Sequence, residues 1–224
     1  MTLHQIQAET RRCPEYTAAA IRCPREVRIN IAVLASGSGS NLQALIDAPD
    51  LGAEIGVVIS DRPEAPALER AERAGIATRI VEWGRFESRA EFSAAINSEI
   101  EAIDARGVVL AGFMRVLDEN LVGRHLNRIL NIHPSLLPAF PGSNAVGQAL
   151  RHGVRVTGVT VHFVDEKVDH GPIIAQRAVP VLPDDDISSL HARIQVAEHE
   201  LYPAVVRAFA RGEIQVEGRS VTWG

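Results

Sequence analysis

The sequence predicts an α/β fold: an open, doubly wound, mostly parallel sheet with a Rossmann-like N-terminal half and an antiparallel C-terminal addition. Two observations predict it. From Val27 to about Pro141, short apolar runs alternate with stretches whose apolar residues recur at helical spacing. That alternation favours right-handed βαβ units and a parallel sheet covered on both faces. After Pro141, two strand-like runs follow one another across a turn, the pattern of an antiparallel pair.

The elements follow in order. "VRINIAVLAS" reads as a buried strand, "GSGSN" as a glycine-rich turn and "LQALIDA" as an amphipathic helix. "EIGVVIS" is a second strand, and "PALERAERAG" a helix that Gly75 is placed to end. "ATRIV" is a third strand. "SRAEFSAAINSEIEAI" carries Phe92, Ala95, Ile96, Ile100 and Ile103 at helical spacing. "GVVLAGF" and "RILNIH" supply strands four and five, and "GQALRHG" a short helix. "VTGVTVHFV" alternates like a strand with one exposed face, and "PIIAQRAVPV" is its partner. In the long helix that follows, Leu190, Ile194, Ala197, Leu201, Val205 and Phe209 share the inner side, and Pro203 is expected to kink or divide it. "EIQVEGRSVTW" reads as a terminal hairpin.

With 224 residues, the chain has the size of one large domain, expected over 27–224 after an extension over 1–26 that is partly helical between Glu15 and Ile21. Hydrophobic residues make up 46 %, which suits a packed core and excludes a disordered chain. A net charge of -5 without a basic run argues against a nucleic-acid partner, yet local cations and helix ends still allow a small anionic substrate. No apolar run approaches the roughly 18 residues of a membrane span, so no membrane partner is expected. Cys13 and Cys23, each before a proline, read as free thiols in a reduced, cytoplasmic protein. They have no neighbouring ligand cluster and make no zinc site. A homodimer is compatible with this composition.

Three features carry chemistry. In "LASGSGSNLQAL", Gly37 and Gly39 lie between strand and helix, where the backbone can approach a ligand and free N–H groups attract an anion. The dinucleotide fingerprint would need glycine where Leu42 stands, and Asp61 is the only tempting ribose clamp, so a phosphate fits better than NAD. Ser40 can donate a hydroxyl, and Asn41 can cap the helix or stand behind the turn as a further donor. In "LNIHPSLLPAFPG", Asn131 and His133 sit two apart at a strand end and should project to one side. An amide there can stabilise an oxyanion and an imidazole can move a proton, although a capping Asn beside a satisfied histidine would look the same. "HFVDEKVDHGPII" places Asp169 where its carboxylate can approach and orient His133. His162 reads as an ordinary strand residue, and His162 and His170 show no metal-ligand spacing.

These segments, with "LAGFMRVL" and "GVTVHFVDEKVDHGPIIAQ", closely resemble the phosphoribosylglycinamide formyltransferases of purine biosynthesis, within the folate-dependent formyltransferase superfamily. The similarity runs in order from about Ile29 into the long C-terminal helix. It implies transfer of the formyl group of 10-formyltetrahydrofolate, a co-substrate, to the amine of glycinamide ribonucleotide, without a metal. It assigns proton transfer to His133, oxyanion stabilisation to Asn131, and tuning of His133 to Asp169. Gly39, Ser40 and Asn41 match the ribose-phosphate site, and Glu198 a further ribonucleotide contact. Arg89, Met114, Arg115, Val116, Leu117, Asn131, Asp165, Glu166, Lys167, Val168 and Asp169 match folate positions. The chain departs at Ser143-Asn144-Ala145-Val146, where the family often has a histidine-containing loop. The nearest alternative is a 10-formyltetrahydrofolate hydrolase, with water replacing the amine. A non-catalytic nucleotide-binding module would leave Asn131, His133 and Asp169 unexplained.

Overall fold

In the computed structural model, residues 28–223 are described. The extension over 1–26, its expected helix and both cysteines lie outside them. Five strands run parallel: β1 (Ile29–Leu34), β2 (Ala53–Ser60), β3 (Thr78–Ile80), β4 (Gly107–Leu110) and β5 (Ile129–His133). Two more, β6 (Val156–Phe163) and β7 (Ile173–Pro180), add to β5 in antiparallel fashion, giving the order β3-β2-β1-β4-β5-β6-β7. The helices are α1 (Ser40–Ile46), α2 (Pro66–Arg73), α3 (Arg89–Ala102), α4 (Glu119–Arg124), α5 (Ala145–His152) and α6 (Ile187–Ala210). A separate hairpin, β8 (Ile214–Glu217) and β9 (Ser220–Trp223), follows α6 as expected. Gly75, at φ 72°, closes the turn after α2.

Alternation within each strand divides the core. Ile31 and Val33 pack with Leu42 and Leu45 of α1 and with the apolar side of α6. Ala32 and Leu34 face Phe92, Ile96 and Ile100 of α3, with Leu121 and Val122 of α4. Both faces are covered, so the parallel strands read as unbroken apolar runs rather than alternating ones.

Three expectations need correction. β6 has no exposed face: from Thr157 to Phe163 every residue is buried. Thr160 and His162 bond to protein groups, whereas the buried Thr157 Oγ1 has no hydrogen-bond partner among the described residues. Thr160 Oγ1 donates to the Ser135 carbonyl at 2.7 Å and accepts from the Leu137 N–H at 3.0 Å, because the chain leaving β5 crosses over it. Second, Pro203 does not divide α6, which runs on as one 24-residue helix. An interior proline costs about 3 kcal/mol, but a fully buried side chain contributes roughly 1.5–3 kcal/mol. Leu190, Ile194, Tyr202, Val205 and Val206 are all at 0 % exposure, so burial outweighs the lost hydrogen bond. Third, α4 has no counterpart among the sequence-predicted elements. Six residues are too few for a helical period to show, and its clearest signal is Asp118, whose side chain caps it by accepting from the Leu121 N–H.

Candidate active site

The strand order reverses between β1 and β4, and open α/β sheets bind ligands beyond the carboxyl ends of strands at such a point. The glycine turn leaves β1 there. Gly39 is the N-cap of α1 at φ 71°, a left-handed geometry that glycine adopts freely. A Cβ at this position would lie 2.8 Å from Ala67 Cα and 2.9 Å from Ala67 Cβ, so the turn also needs glycine to pack on α2. The Ala67 N–H donates to the Gly37 carbonyl at 3.2 Å, and Arg70 Nε donates to the Ser38 carbonyl at 2.8 Å. Both carbonyls therefore turn toward α2. Among the described residues, the N–H groups of residues 37–40 donate to no other backbone group.

Asn41 is not the cap. It lies inside α1, and its Nδ2 donates to Glu198 Oε2 at 2.9 Å, while its buried Oδ1 has no hydrogen-bond partner among the described residues. Ser40 Oγ accepts from Gln195 Nε2 at 3.4 Å, and no motif marks Gln195 for that contact. Glu198 is only 5 % exposed. One turn along α6, the fully buried Tyr202 hydroxyl sits 3.0 Å from the carbonyls of both Leu110 and Leu130 and shares its proton between them. Burial, then the nearby Glu198 carboxylate, push the Tyr202 phenol well above its ordinary pKa, so it stays a neutral donor. That anchor sets α6 across the end of β4 and the adjoining start of β5 and aims Glu198 at the glycine turn.

β5 delivers the second group. Asn131 and His133 project together as strand geometry requires, and the loop after β6 brings Asp169 to them. Asp169 Oδ2 accepts from the Gly142 N–H at 2.7 Å and lies 3.3 Å from His133 Nδ1. Its Oδ1 accepts from Asn131 Nδ2 at 3.4 Å. Asp169 holds φ 52°, a left-handed conformation that costs a non-glycine residue on the order of 1–3 kcal/mol. His133 Nε2 is 2.9 Å from the Phe140 carbonyl, which can only accept, so that nitrogen carries a proton. His133 Nδ1 faces the Asp169 carboxylate, so both ring nitrogens look onto acceptors.

His162, expected only as a strand residue, completes the cluster. Its Nδ1 donates to the Phe163 carbonyl at 2.7 Å, which leaves Nε2 to accept from Asn131 Nδ2 at 3.2 Å. That acceptor fixes which end of the Asn131 amide faces the cluster. The available sequence signal was a lone polar ring within an apolar run, seven residues before Asp169. Burial alone would raise the Asp169 carboxyl. The Gly142 N–H, which donates to it at 2.7 Å, and the neighbouring His133 outweigh burial and hold the carboxyl below its ordinary value.

A cavity of about 350 Å³ opens beside this cluster. Asn131, His133 and Asp169 line it, with Met114, Arg115, Val116 and Leu117 on one side and Asp165, Glu166, Lys167 and Val168 on the other. Gly142 and Ser143 also line it, so the segment that departs from the family pattern borders the cavity. Arg89 does not; it is exposed at the start of α3. Gly39, Ser40, Asn41 and Glu198 lie outside the cavity as a separate polar group. The wall after β4 is pinned: the Met114 N–H donates to Ser36 Oγ at 2.9 Å, and Arg115 Nε donates to Asp61 Oδ2 at 2.7 Å. Arg115 also lies 5.2 Å from the Trp83 ring centroid. Asp61 is thus paired with Arg115 through Oδ2, while its buried Oδ1 has no hydrogen-bond partner among the described residues. Met114 stays 63 % exposed, an apolar face beside the opening. Among the described residues, no group of three His, Cys, Asp or Glu side chains could hold a metal ion. Among them, too, no helix is long and apolar enough to cross a membrane.

The family model described as formyl transferase matches residues 29–206. The chain is 44 % identical over 191 residues to the phosphoribosylglycinamide formyltransferase of Escherichia coli (strain K12), covering 84 % of this chain and 90 % of that protein. It is 48 % identical over 200 residues to the human trifunctional purine biosynthetic protein adenosine-3, covering 88 % of this chain but only 20 % of that much longer protein. The crystal structure of glycinamide ribonucleotide transformylase 1 from Symbiobacterium toebii superposes with a TM-score of 0.85 at 49 % identity, covering 88 % of this chain and 94 % of that one. The chain belongs to the formyl transferase family.

Proposed function

We propose that the protein transfers the formyl group of 10-formyltetrahydrofolate to the primary amine of glycinamide ribonucleotide. The observation that carries this reading is the convergence of Asn131, His133, His162 and Asp169 on one edge of the cavity. β1 and β5 are two strand spacings apart, about 10 Å, and the glycine turn leaves β1 as the cluster leaves β5. An acceptor with a phosphate at one end and an amine at the other suits that span. Gly39, Ser40 and Asn41 take the phosphate in this reading, and Glu198 a ribose hydroxyl. The folate ring lies against Met114 to Leu117 and the Asp165 to Asp169 loop. Exposed Arg89 is left to the distal, charged part of the folate.

The chemistry follows from the groups in place. The amine attacks the formyl carbon, forming a carbon–nitrogen bond and an oxyanion. Asn131 has one N–H held by His162 and a second that leans on Asp169 at the long distance of 3.4 Å. The second can turn to the oxyanion with little loss. The attacking nitrogen gives up a proton toward the Asp169 carboxylate, directly or through water. His133 supplies a proton to the departing folate nitrogen as the tetrahedral intermediate collapses. Residues 27–224 act as one unit in this reading, in a cytoplasmic enzyme.

Purified protein mixed with folate donor, with and without the ribonucleotide, tests the proposal. Donor loss that requires the amine supports transfer. Loss independent of the amine identifies a hydrolase, and no turnover leaves a binding module.

A further inference from the structure

We propose that Arg70 is a positioning residue for the phosphate of the acceptor substrate, acting through the peptide that joins Ser38 to Gly39. The inference rests on the reading that the acceptor is phosphorylated and seats its phosphate on the glycine turn.

The turn itself, Gly37 to Asn41, contains no cation. The charged group tied to it on one side is anionic: Glu198 is buried and bonded to Asn41 at 2.9 Å. A phosphate brought beside that carboxylate is repelled unless a positive charge offsets it. Arg70 is the cation in place. Its Nε donates to the Ser38 carbonyl at 2.8 Å, and one Nη donates to Gln43 Oε1 at 3.1 Å. These two bonds fix the guanidinium plane against the turn. Among the described residues Arg70 makes no ion pair, whereas Arg115 at the cavity wall is paired with Asp61. Its charge is therefore not cancelled locally.

The route is a single peptide. The Ser38 carbonyl accepts from Arg70, and the N–H of the same peptide unit belongs to Gly39, one of the N–H groups without a backbone partner. A charged donor on the carbonyl oxygen polarises that unit and makes its N–H a stronger donor to an anion. It also holds the carbonyl away from the phosphate. The Arg70 stem packs on the turn, since its Cδ would lie 3.2 Å from a Cβ on Gly39.

The test compares wild type with Arg70→Met, which keeps an apolar stem, and Arg70→Lys, which keeps charge without the planar fork. Steady-state kinetics are read for both substrates, with inorganic phosphate as the competing anion. Arg70→Met should raise the ribonucleotide KM and the phosphate inhibition constant together by about tenfold, with kcat and the folate KM within about threefold of wild type. Arg70→Lys should fall between, and the Gly39 amide proton should move upfield in the NMR spectrum of Arg70→Met. Wild-type values for ribonucleotide and phosphate in both variants would overturn the role of Arg70 alone. So would a loss shared equally by kcat and both KM values, with a lower Tm, because that marks a merely structural residue. Failure of phosphate to compete in the wild type would overturn the phosphorylated-acceptor reading, and the proposal with it.

Discussion

The two polar regions at the carboxyl ends of the strands are built on opposite plans. At the glycine turn the carbonyls of Gly37 and Ser38 are tied to α2, while the N–H groups of residues 37–40 have no backbone partner and Asn41 Oδ1 has none at all among the described residues. At the other region Asn131, His133, His162 and Asp169 are already bonded to one another or to the backbone. Buried polar groups are costly to leave unpaired, so the open set is poised to take a ligand and the closed set to hold a fixed geometry. The first should therefore fail in binding when altered, and the second in turnover.

The largest effect is expected at Asp169. Asp169→Asn keeps the shape but removes the charge beside His133 and, in the proposed reaction, the acceptor of the amine proton, so kcat should fall about 100-fold or more with both KM values largely kept. Near-normal turnover would remove Asp169 from the chemistry. Next comes His162, compared as Leu and as Gln. The leucine variant leaves Asn131 free to turn its amide, and kcat should drop by about tenfold or more. Glutamine can still offer an acceptor and should recover part of the loss. Equal activity of the two would show that the ring only fills space.

At the turn, Gly39→Ala brings a Cβ to within 2.8 Å of the α2 backbone and strains a φ of 71°. Stability should fall by about 1–3 kcal/mol, and the ribonucleotide KM should rise well before the folate KM does. A kcat defect without a KM change would blur the contrast between the regions. The smallest effect concerns acid. Asp169 has a carboxyl lowered from its usual 3.8, so its ionised form stabilises the fold above that pH, and the contribution is lost as pH falls below it. In thermal unfolding, the difference between wild type and Asp169→Asn should shrink as the solution is taken below about pH 4. A difference that grows toward acid has the wrong sign for a lowered carboxyl.

How much of this was legible in the sequence differs between the two halves of the sheet. β1 to β5 are parallel strands with both faces covered, and their apolar runs announce themselves. β6 misleads because Thr160 and His162 look like an exposed polar face, while their partners, the chain at Ser135 to Leu137 and the Asn131 amide, come from distant parts of the sequence. The same reason hid His162 from the site. Strand period placed Asn131 beside His133, but no local pattern could say that a ring 31 residues away holds the amide. Asn41 and Glu198 fall between these cases. The family resemblance marked both, whereas their mutual hydrogen bond follows from Tyr202 fixing α6 over β4 and β5. Arg70 carries no motif at all. Its place depends on α2 docking against a turn that only glycine allows.

The central claim is that the closed cluster moves a formyl group onto an amine held by the open turn. NMR of a reaction with a ¹³C-formyl folate donor and a ribonucleotide carrying ¹⁵N at its amine tests that claim most directly. Direct transfer predicts a product whose formyl carbon is split by one-bond coupling to nitrogen, appearing as fast as donor is lost. Accumulation of free ¹³C-formate in its place, with the amine unchanged, would contradict it.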